Sequence, residues 1–237
     1  MRLPLAASVS IAALLLTACG NGETPVDPVD TEEEAAVGIE LSPLEPEEDA
    51  DAFRARVEGI SEEEQAEAIF QRTLRTARGC EPGDAPLHAF VPRDRADGES
   101  SADYNASIAD QFISENVLQP CVFQTPSGLQ FRVERAAGPD NPSPVSGEIV
   151  RVHYAGQLLD GTEFDSSYAR GAPAEFPSDR LIAGWVEALP LMRTGEKWTL
   201  YIAPELGYGA RGTPGGPIPP NAALVFQLEL LGIPGRE

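Results

Sequence analysis

Apolar and polar residues alternate in four short runs in the second half of the chain. The apolar positions of these runs are Leu129, Phe131 and Val133; Val150, Val152 and Tyr154; Trp198, Leu200 and Ile202; and Leu224, Phe226, Leu228 and Leu230. A period of two predicts β-strands in a sheet with one face buried. Between the second and third runs, a short amphipathic helix is predicted at Trp185, Ala188, Leu189 and Met192, and Pro190 should end or kink it. Residues 124–237 are therefore predicted to form one α+β domain, an antiparallel sheet packed on one helix.

A helical pattern precedes this domain. Ser61 and Glu64 form a capping-box motif. One helical face then carries Ala66, Ile69, Phe70, Leu74 and Ala77, and Gly79 is a good stop. A second helix is predicted from Ser101 or Tyr104 to Leu118, with one stripe formed by Ala109, Phe112, Ile113 and Val117. Because neither helix carries recognisable chemistry, we predict a small helical region over residues 53–123 that serves packing or dimerisation.

The first residues have the pattern of a secretory signal. Arg2 is followed by an apolar run of 14 residues, from Leu3 to Leu16, which is short for a membrane-spanning helix of roughly 20 residues. Residues 1–18 are therefore predicted to be a signal peptide. The segment Leu16-Thr17-Ala18-Cys19 also resembles the bacterial lipobox, which implies that Cys19 becomes the first mature residue and carries a lipid. An ordinary signal peptide with an incidental cysteine remains the alternative.

A lipid on Cys19 would anchor the protein in a bacterial cell envelope, facing the periplasm. By analogy with enteric bacteria, Gly20 in place of an aspartate favours the outer membrane over the inner one. Residues 19–52 contain acidic residues and four prolines with almost no aromatic residues. Such a segment buries too little apolar surface to offset its ordering entropy. It is therefore predicted to be a disordered acidic tether.

The formal net charge is −21, which argues against binding to nucleic acid because phosphates need a basic face. Most of this charge lies in one segment: 17 acidic residues and 2 arginines lie between Cys19 and Phe70, against 13 acidic and 9 basic residues from Gln124 to the end. The only histidines, His88 and His153, have no ligand-like spacing. No metal and no other cofactor is therefore predicted.

Two cysteines remain when Cys19 is set aside. Cys80 and Cys121 each lie just beyond the end of a predicted helix. In an oxidising compartment an even pair favours a disulfide over two free thiols. We predict a bridge between them, with two free thiols as the alternative.

Six motifs in the second half resemble, in order and spacing, the FKBP-type peptidyl-prolyl cis-trans isomerases. They are Val-His-Tyr-Ala-Gly (152–156), Asp-Gly-Thr-Glu-Phe-Asp-Ser-Ser (160–167), Ile-Ala-Gly-Trp-Val-Glu-Ala-Leu (182–189), Leu-Gly-Tyr-Gly (206–209), Ile-Pro-Pro-Asn (218–221) and Leu-Val-Phe-Gln-Leu-Glu-Leu-Leu (224–231). The preceding segment 125–131 is similar to the join in periplasmic and Mip-like members, which carry a helical dimerisation region. The resemblance implies a curved antiparallel sheet wrapped on one short helix, and a homodimer by analogy alone.

The resemblance also implies a pocket for proline. Trp185 would form its floor, and its walls would be Tyr154, Phe164, Phe226, Leu181 and Ile182. The Ile182 N–H and the Tyr208 hydroxyl would each donate to a substrate carbonyl, and Ile218 would close one side. Asp165 would lie beside Tyr154 and Arg170 as a polar corner, for which a structural ion pair and a catalytic role remain equal alternatives. His153 points away from Tyr154 on its strand and is predicted to be structural.

The sequence departs from the family pattern around this pocket. Ala174 stands where many members have an aromatic wall, although Phe176 is close enough in sequence to compensate in part. Thr213 replaces a frequent histidine, and the loop at Gly215-Gly216-Pro217 is one residue longer. These changes bear on substrate preference and macrolide affinity more than on activity.

Prolyl isomerisation requires no nucleophile or metal. Rotation about an amide is resisted by roughly 18–20 kcal/mol of resonance energy, and X-Pro bonds populate both isomers. A dry pocket that favours the twisted amide over the planar one is sufficient. We therefore expect an isomerase that assists the folding of exported proteins and binds proline-containing unfolded or exported polypeptides. The alternative is a chaperone, assembly or proline-recognition module with little isomerase activity.

Overall fold

The computed structural model describes residues 61–83 and 86–236. The predicted signal peptide, the lipidation site at Cys19 and the tether lie outside these residues. In the described part of the chain, no helix has the combination of length and apolar character that crossing a membrane requires.

The described residues form three helices and one seven-stranded antiparallel sheet. The helices are α1 (Glu62–Gly79), α2 (Ser101–Asn116) and α3 (Ala183–Ala188). The strands are β1 (Phe123–Gln124), β2 (Gln130–Arg135), β3 (Ile149–Leu158), β4 (Glu163–Ser166), β5 (Ala174–Pro177), β6 (Lys197–Ile202) and β7 (Leu224–Gly232). The strand order is β1-β2-β6-β7-β3-β4, and β5 pairs with β3. The predicted α+β class and all four alternating strands are confirmed.

One face of the sheet packs on α3. The indole of Trp185 and the side chains of Ala188 and Leu189 join a core that includes Leu200 and Leu228. As predicted, α3 ends before Pro190, and one turn of 3-10 helix follows it at Leu189–Leu191. Proline cannot donate the hydrogen bond that a longer α-helix would need at this position. The early stop leaves Trp185 on a short, well-anchored helix.

The prediction that only one face of the sheet is buried is wrong for the central strands. Tyr201 on β6 is fully buried and Val225 on β7 nearly so, although both point away from α3. They pack in a second core with Phe112 and Ile108 of α2. The Tyr201 hydroxyl also donates to the carbonyl of Leu87 at 2.7 Å. The helical region therefore covers the second face of the sheet.

Helix α1 packs through its C-terminal half. The predicted capping box is present, because Ser61 and Glu64 exchange side-chain to backbone bonds. Leu74 and Ala77 are buried as predicted, but Ile69 is 50% exposed. Ala66 is exposed as well, whereas Phe70 is half-buried against the core, so the predicted stripe holds only from Phe70 onward. There, Arg78 Nε donates to the buried carboxylate of Glu196 at 2.7 Å.

Cys80 and Cys121 form a disulfide in the structure, with Cα atoms 5.7 Å apart. Cys80 caps the C-terminus of α1, and Cys121 lies two residues before β1. The bridge joins the end of α1 to the chain that leaves α2, and it encloses the segment that covers the second face of the sheet.

Candidate active site

A cavity of about 760 Å³ opens beside α3. Nine of the ten residues predicted for the proline pocket line it: Tyr154, Phe164, Asp165, Leu181, Ile182, Trp185, Tyr208, Ile218 and Phe226. The tenth, Arg170, does not line the cavity but bonds to two residues that do. Strands β3, β4 and β7, helix α3 and two loops thus bring together residues that are up to 72 positions apart in sequence.

Aromatic rings meet edge to face at the bottom of the cavity. The Trp185 ring lies 5.3 Å from the Tyr154 ring and 5.2 Å from the Phe226 ring, at interplanar angles of 83° and 80°. Phe164 meets Phe226 at 5.4 Å and 83°. Edge-to-face contacts of this kind are the favoured geometry of aromatic pairs. The rings therefore hold one another in place and form a firm apolar box.

Two glycines allow this close packing. A Cβ atom at Gly156 on β3 would lie 2.6 Å from carbons of both Phe164 and Phe226. A Cβ atom at Gly184, next to Trp185 on α3, would lie 3.0 Å from Ile202 of β6. Because real Cβ contacts at 2.6 Å do not occur, no side chain other than hydrogen fits at position 156 without displacing the pocket rings.

The first residue before α3 presents its backbone to the cavity. Ile182 is the N-cap, and its carbonyl accepts from the N–H groups of Trp185 and Val186 at 2.9 and 3.1 Å. Among the described residues, none accepts a hydrogen bond from the N–H of Ile182. This N–H is therefore free to donate to a bound carbonyl, as the resemblance implied.

Tyr154, Asp165 and Arg170 form the polar corner of the cavity. The Tyr154 hydroxyl donates to Asp165 Oδ2 at 2.6 Å, and Arg170 Nη2 donates to the same hydroxyl at 2.7 Å. Arg170 also pairs directly with Asp165. Burial raises the pKa of the Asp165 carboxyl, but the hydrogen bonds from Tyr154 and Arg170 outweigh this effect and hold the pKa below its usual range. Burial, together with the bond to Asp165, raises the pKa of Tyr154. The corner thus holds a carboxylate beside a neutral phenol.

Tyr208 lies at the opening, with 39% of its surface exposed. Burial and the nearby charge of Asp165 raise the pKa of its hydroxyl. In the described part of the chain, this hydroxyl has no hydrogen-bond partner, so it is available to a ligand. By contrast, His153 lies away from the cavity, bonded to Ser167 at 2.9 Å and stacked on Tyr168, in agreement with the structural role predicted for it.

Phe176 forms a wall of the cavity that is not among the ten predicted pocket residues. Its ring lies 6.4 Å from that of Trp185 and 6.2 Å from that of Tyr154. Ala174, two residues earlier on β5, does not line the cavity. Because alternate residues of a strand share a face, an aromatic ring at 176 reaches the side that an aromatic ring at 174 would cover. Five residues make smaller contributions to the lining: Arg180, Ala183, Gly207, Thr213 and Pro217. From the sequence, Thr213 and Pro217 were expected near the pocket, whereas the other three were not named as pocket residues.

The cavity contains only protein groups suited to non-covalent binding. Within residues 61–83 and 86–236, no three histidine, cysteine, aspartate or glutamate side chains converge as a metal site would require. The single buried side-chain polar atom without a partner in this part of the chain is the Nε1 of Trp185.

Comparison with known proteins agrees with this geometry. Residues 141–231 match the family described as FKBP-type peptidyl-prolyl cis-trans isomerase. The chain is 49% identical over 142 residues to the FKBP-type 22 kDa peptidyl-prolyl cis-trans isomerase of Escherichia coli (strain K12), covering 59% of this chain and 68% of that protein. It is 34% identical over 240 residues to a probable FKBP-type peptidyl-prolyl cis-trans isomerase of Haemophilus influenzae, covering 95% of each. The crystal structure of FkpA from Escherichia coli has a TM-score of 0.53 and 32% identity, over 77% of each chain.

The family match covers all the residues that line the cavity, and the likeness to the Haemophilus relative covers nearly the whole chain. They confirm the isomerase activity that the six motifs implied, and they do not favour a recognition module with little isomerase activity. The chain belongs to the FKBP-type peptidyl-prolyl cis-trans isomerases.

Proposed function

We propose that the cavity beside α3 is the active site and that it acts on X-Pro bonds of exported polypeptides. The observation that carries the proposal is the box of edge-to-face rings under an opening lined by unpaired donors. A proline ring is apolar and compact, so it suits the box. The carbonyl groups that flank it need donors, which the Ile182 N–H and the Tyr208 hydroxyl supply.

Each residue has a distinct part in this proposal. Trp185 supports the proline ring from below, and the ring is enclosed by Tyr154, Phe164, Phe226, Leu181, Ile182 and Ile218. The polar corner of Tyr154, Asp165 and Arg170 lies where the carbonyl of the residue before proline rotates. A twisted amide has lost its resonance, and its carbonyl is then less polar than a planar one. The apolar cavity excludes water, which would otherwise stabilise the planar amide more.

Modest preferential binding of the twisted amide is sufficient. The uncatalysed barrier is roughly 18–20 kcal/mol, and each reduction of about 1.4 kcal/mol accelerates the reaction about tenfold. Binding the twisted form about 4 kcal/mol more tightly than the planar form would therefore give an acceleration of about a thousandfold. Only contacts that are stronger to the twisted amide than to the planar one count toward this difference.

The experiment that tests the proposal is proline-limited refolding. A small protein whose slow folding phase reflects an X-Pro bond is refolded with and without the mature soluble chain, and the rate of that phase is measured. We expect acceleration in proportion to the concentration of the chain. A slow phase with the same rate as in buffer would exclude action on folding polypeptides.

The activity should be independent of pH around neutrality. Asp165 has a lowered pKa, whereas Tyr154 and Tyr208 have raised ones, so none of the three titrates between their ordinary values of about 4 and about 10. We expect a constant kcat/KM from about pH 5 to about pH 9. A fall is expected only in acid, as the pH passes below the lowered pKa of Asp165 and the bonded carboxylate is protonated.

The free energy of unfolding should change with pH in the same direction as kcat/KM. Because the pKa of Asp165 is depressed in the folded chain, its favourable contribution to the free energy of unfolding is fully present above the ordinary carboxyl pKa and is lost in acid.

Protease-free NMR exchange measurements on a proline peptide, from pH 4 to pH 9, test the predicted pH profile of kcat/KM. An inflection between pH 6 and pH 8 would contradict this assignment of charge states and point to another titrating group.

We further infer that the protein is held in the bacterial cell envelope by a lipid on Cys19. The support is the segment Leu16-Thr17-Ala18-Cys19 after an apolar run, together with a cysteine pair that bonds in the fold, which suits an oxidising compartment. Gly20 favours the outer membrane. The homodimer implied by family analogy stays a prediction, which light scattering on the mature soluble form tests.

Replacing Cys19 with serine should release the protein from membranes. The full chain and its Cys19→Ser variant are produced in a Gram-negative host and fractionated, and labelling with a fatty-acid analogue is measured. We expect the wild type to carry the label and to lie in the membrane fraction. The variant should carry no label, and no mature lipoprotein should be found in its membrane fraction. Equal labelling of both would exclude Cys19, and label-free wild type would favour an ordinary signal peptide.

A further inference from the structure

Two loops that form one side of the cavity are bonded into a single unit. These pocket loops are residues 207–213, which include Tyr208, and residues 217–221, which include Ile218. The N–H of Thr213 donates to the Ile218 carbonyl at 2.9 Å, and the Ile218 N–H donates to Thr213 Oγ1 at 3.0 Å. The N–H of Asn221 donates to the carbonyl of Gly209 at 3.0 Å. A displacement of residues 217–221 would therefore move the loop of Tyr208 as well.

The second of these loops has few means of holding its own shape. Its sequence is Pro217-Ile218-Pro219-Pro220-Asn221. Proline has no N–H, so only Ile218 and Asn221 can donate from their backbones, and both donors are directed to the other pocket loop. Hydrogen bonds from this loop to the rest of the molecule must therefore come from its carbonyl and side-chain groups.

Two hydrogen bonds join the second loop to helix α2, and each is donated by the side-chain amide of an asparagine. Asn105 Nδ2 donates to the carbonyl of Pro220 at 2.8 Å. In the opposite direction, Asn221 Nδ2 donates to the carbonyl of Ala102 in the first turn of α2 at 3.2 Å. Asn221 has a left-handed backbone with φ of 55°, which aims its side chain at the helix while its N–H faces Gly209.

The helix that holds the loops is itself firmly placed. Phe112 of α2 is fully buried and meets the Tyr201 ring at 6.0 Å on the second face of the sheet. Ala109 is 1% exposed in the same core. The path from the sheet to the cavity therefore runs from α2 through Asn105 to Pro220, two residues beyond Ile218, whose side chain is 4% exposed in the cavity wall.

We propose that Asn105 and Asn221 are positioning residues for the isomerase reaction, and that α2 sets the geometry of the side of the active site formed by Tyr208 and Ile218. This inference rests on the active site proposed above. It assigns the helical region a part in catalysis, although none of the residues of that region that the structure describes lines the cavity.

The test compares two asparagines of the same helix. Asn116 also donates one bond from Nδ2 to the sheet, to Gln130 Oε1 at 2.9 Å, but Gln130 belongs to β2 and to neither pocket loop. In the mature soluble chain, we expect Asn105→Ala to lower kcat/KM for a proline peptide by about threefold to tenfold, the range of one lost hydrogen bond. Asn116→Ala should retain the wild-type kcat/KM, even where its melting temperature falls as far.

Hydrogen exchange supplies a second measurement that loss of stability alone would not produce. The amides of Ile218 and Asn221 bond within the pocket loops, and both should exchange faster in Asn105→Ala than in Asn116→Ala. Asn221→Gly gives an independent variant, because glycine keeps the left-handed backbone and removes only the bond to Ala102. Asn221→Gly should reproduce the loss of kcat/KM, and it decides the question if Asn105→Ala does not fold.

Unchanged kcat/KM in Asn105→Ala and Asn221→Gly would overturn the inference, as would an equal loss in Asn116→Ala. The Trp185→Ala variant separates this failure from failure of the proposed active site. If Trp185→Ala is inactive while the asparagine variants are fully active, the active site stands and the positioning role falls. If Trp185→Ala is fully active, both fall.

Discussion

Replacing Trp185 with alanine is expected to lower kcat/KM for a proline peptide by about a hundredfold or more. The ring of Trp185 contacts the rings of Tyr154, Phe176 and Phe226 at once, so its removal takes away the floor and loosens three walls. A hundredfold loss of kcat/KM corresponds to about 2.7 kcal/mol of lost transition-state stabilisation. As a separate effect, truncating a buried tryptophan lowers the free energy of unfolding by about 3–5 kcal/mol. Water would also enter the enlarged cavity and favour the planar amide.

The second tryptophan of the chain provides the control. Trp198 is fully buried, stacked on Phe131 at 4.7 Å and bonded through Nε1 to Glu196 at 3.0 Å, but it does not line the cavity. Trp198→Phe should lower the melting temperature and leave kcat/KM close to the wild-type value. Both variants are assayed below their melting temperatures. A folded Trp185→Ala variant with wild-type activity would show that the reaction occurs elsewhere.

The Trp185→Phe variant refines this result. Phenylalanine keeps an aromatic floor and removes the indole N–H, the one buried side-chain polar atom without a partner in the described residues. A loss much smaller than in Trp185→Ala would show that the apolar surface matters. A loss of the same size would show that the substrate uses the N–H.

The residues of the proposed active site were predictable because their signal is local. Eight of the ten predicted pocket residues lie in one of the six short motifs, and the other two, Arg170 and Leu181, lie between the second and third of them. Strand alternation then placed Tyr154 and Phe226 on the same face as Trp185, as the structure confirms. The same rule pairs Ala174 with Phe176 on β5, so the sequence contains the signal that names Phe176 as the replacement wall.

The covering of the second face of the sheet was not predicted, because it depends on contacts between distant segments. Tyr201 and Val225 were the available signals, since both are apolar residues at positions that alternation assigns to solvent. Deciding what covers them requires the path of the chain from Cys80 to Cys121, and no local pattern gives that path. For the same reason, the helical periodicity of α1 could not show which of its positions the rest of the chain covers, so Ala66 and Ile69 were wrongly placed in the core.

Removing the disulfide is expected to lower the free energy of unfolding by up to about 4 kcal/mol, from the loss of a cross-link between residues 41 positions apart. The cross-linked segment contains α2 and the chain that buries Tyr201, so an unlinked chain loses more entropy when it folds. Urea unfolding of the Cys80→Ser/Cys121→Ser variant measures the change. Reductant should destabilise the wild type by the same amount and leave the double variant unaffected. If the wild type is insensitive to reductant, the two thiols are free in solution.

The kcat/KM of the double-serine variant then shows whether the disulfide, in addition to Asn105 and Asn221, holds the pocket loops in place. The bridge ends at Cys121, beyond the C-terminus of α2, whereas Asn105 and Ala102 hold the pocket loops from the first two turns of the same helix. With Phe112 still buried against Tyr201, α2 should keep its place in the folded variant, and kcat/KM at 25 °C should remain within about twofold of wild type. A fall comparable to that of Asn105→Ala would mean instead that the disulfide itself keeps α2 in register with the active site.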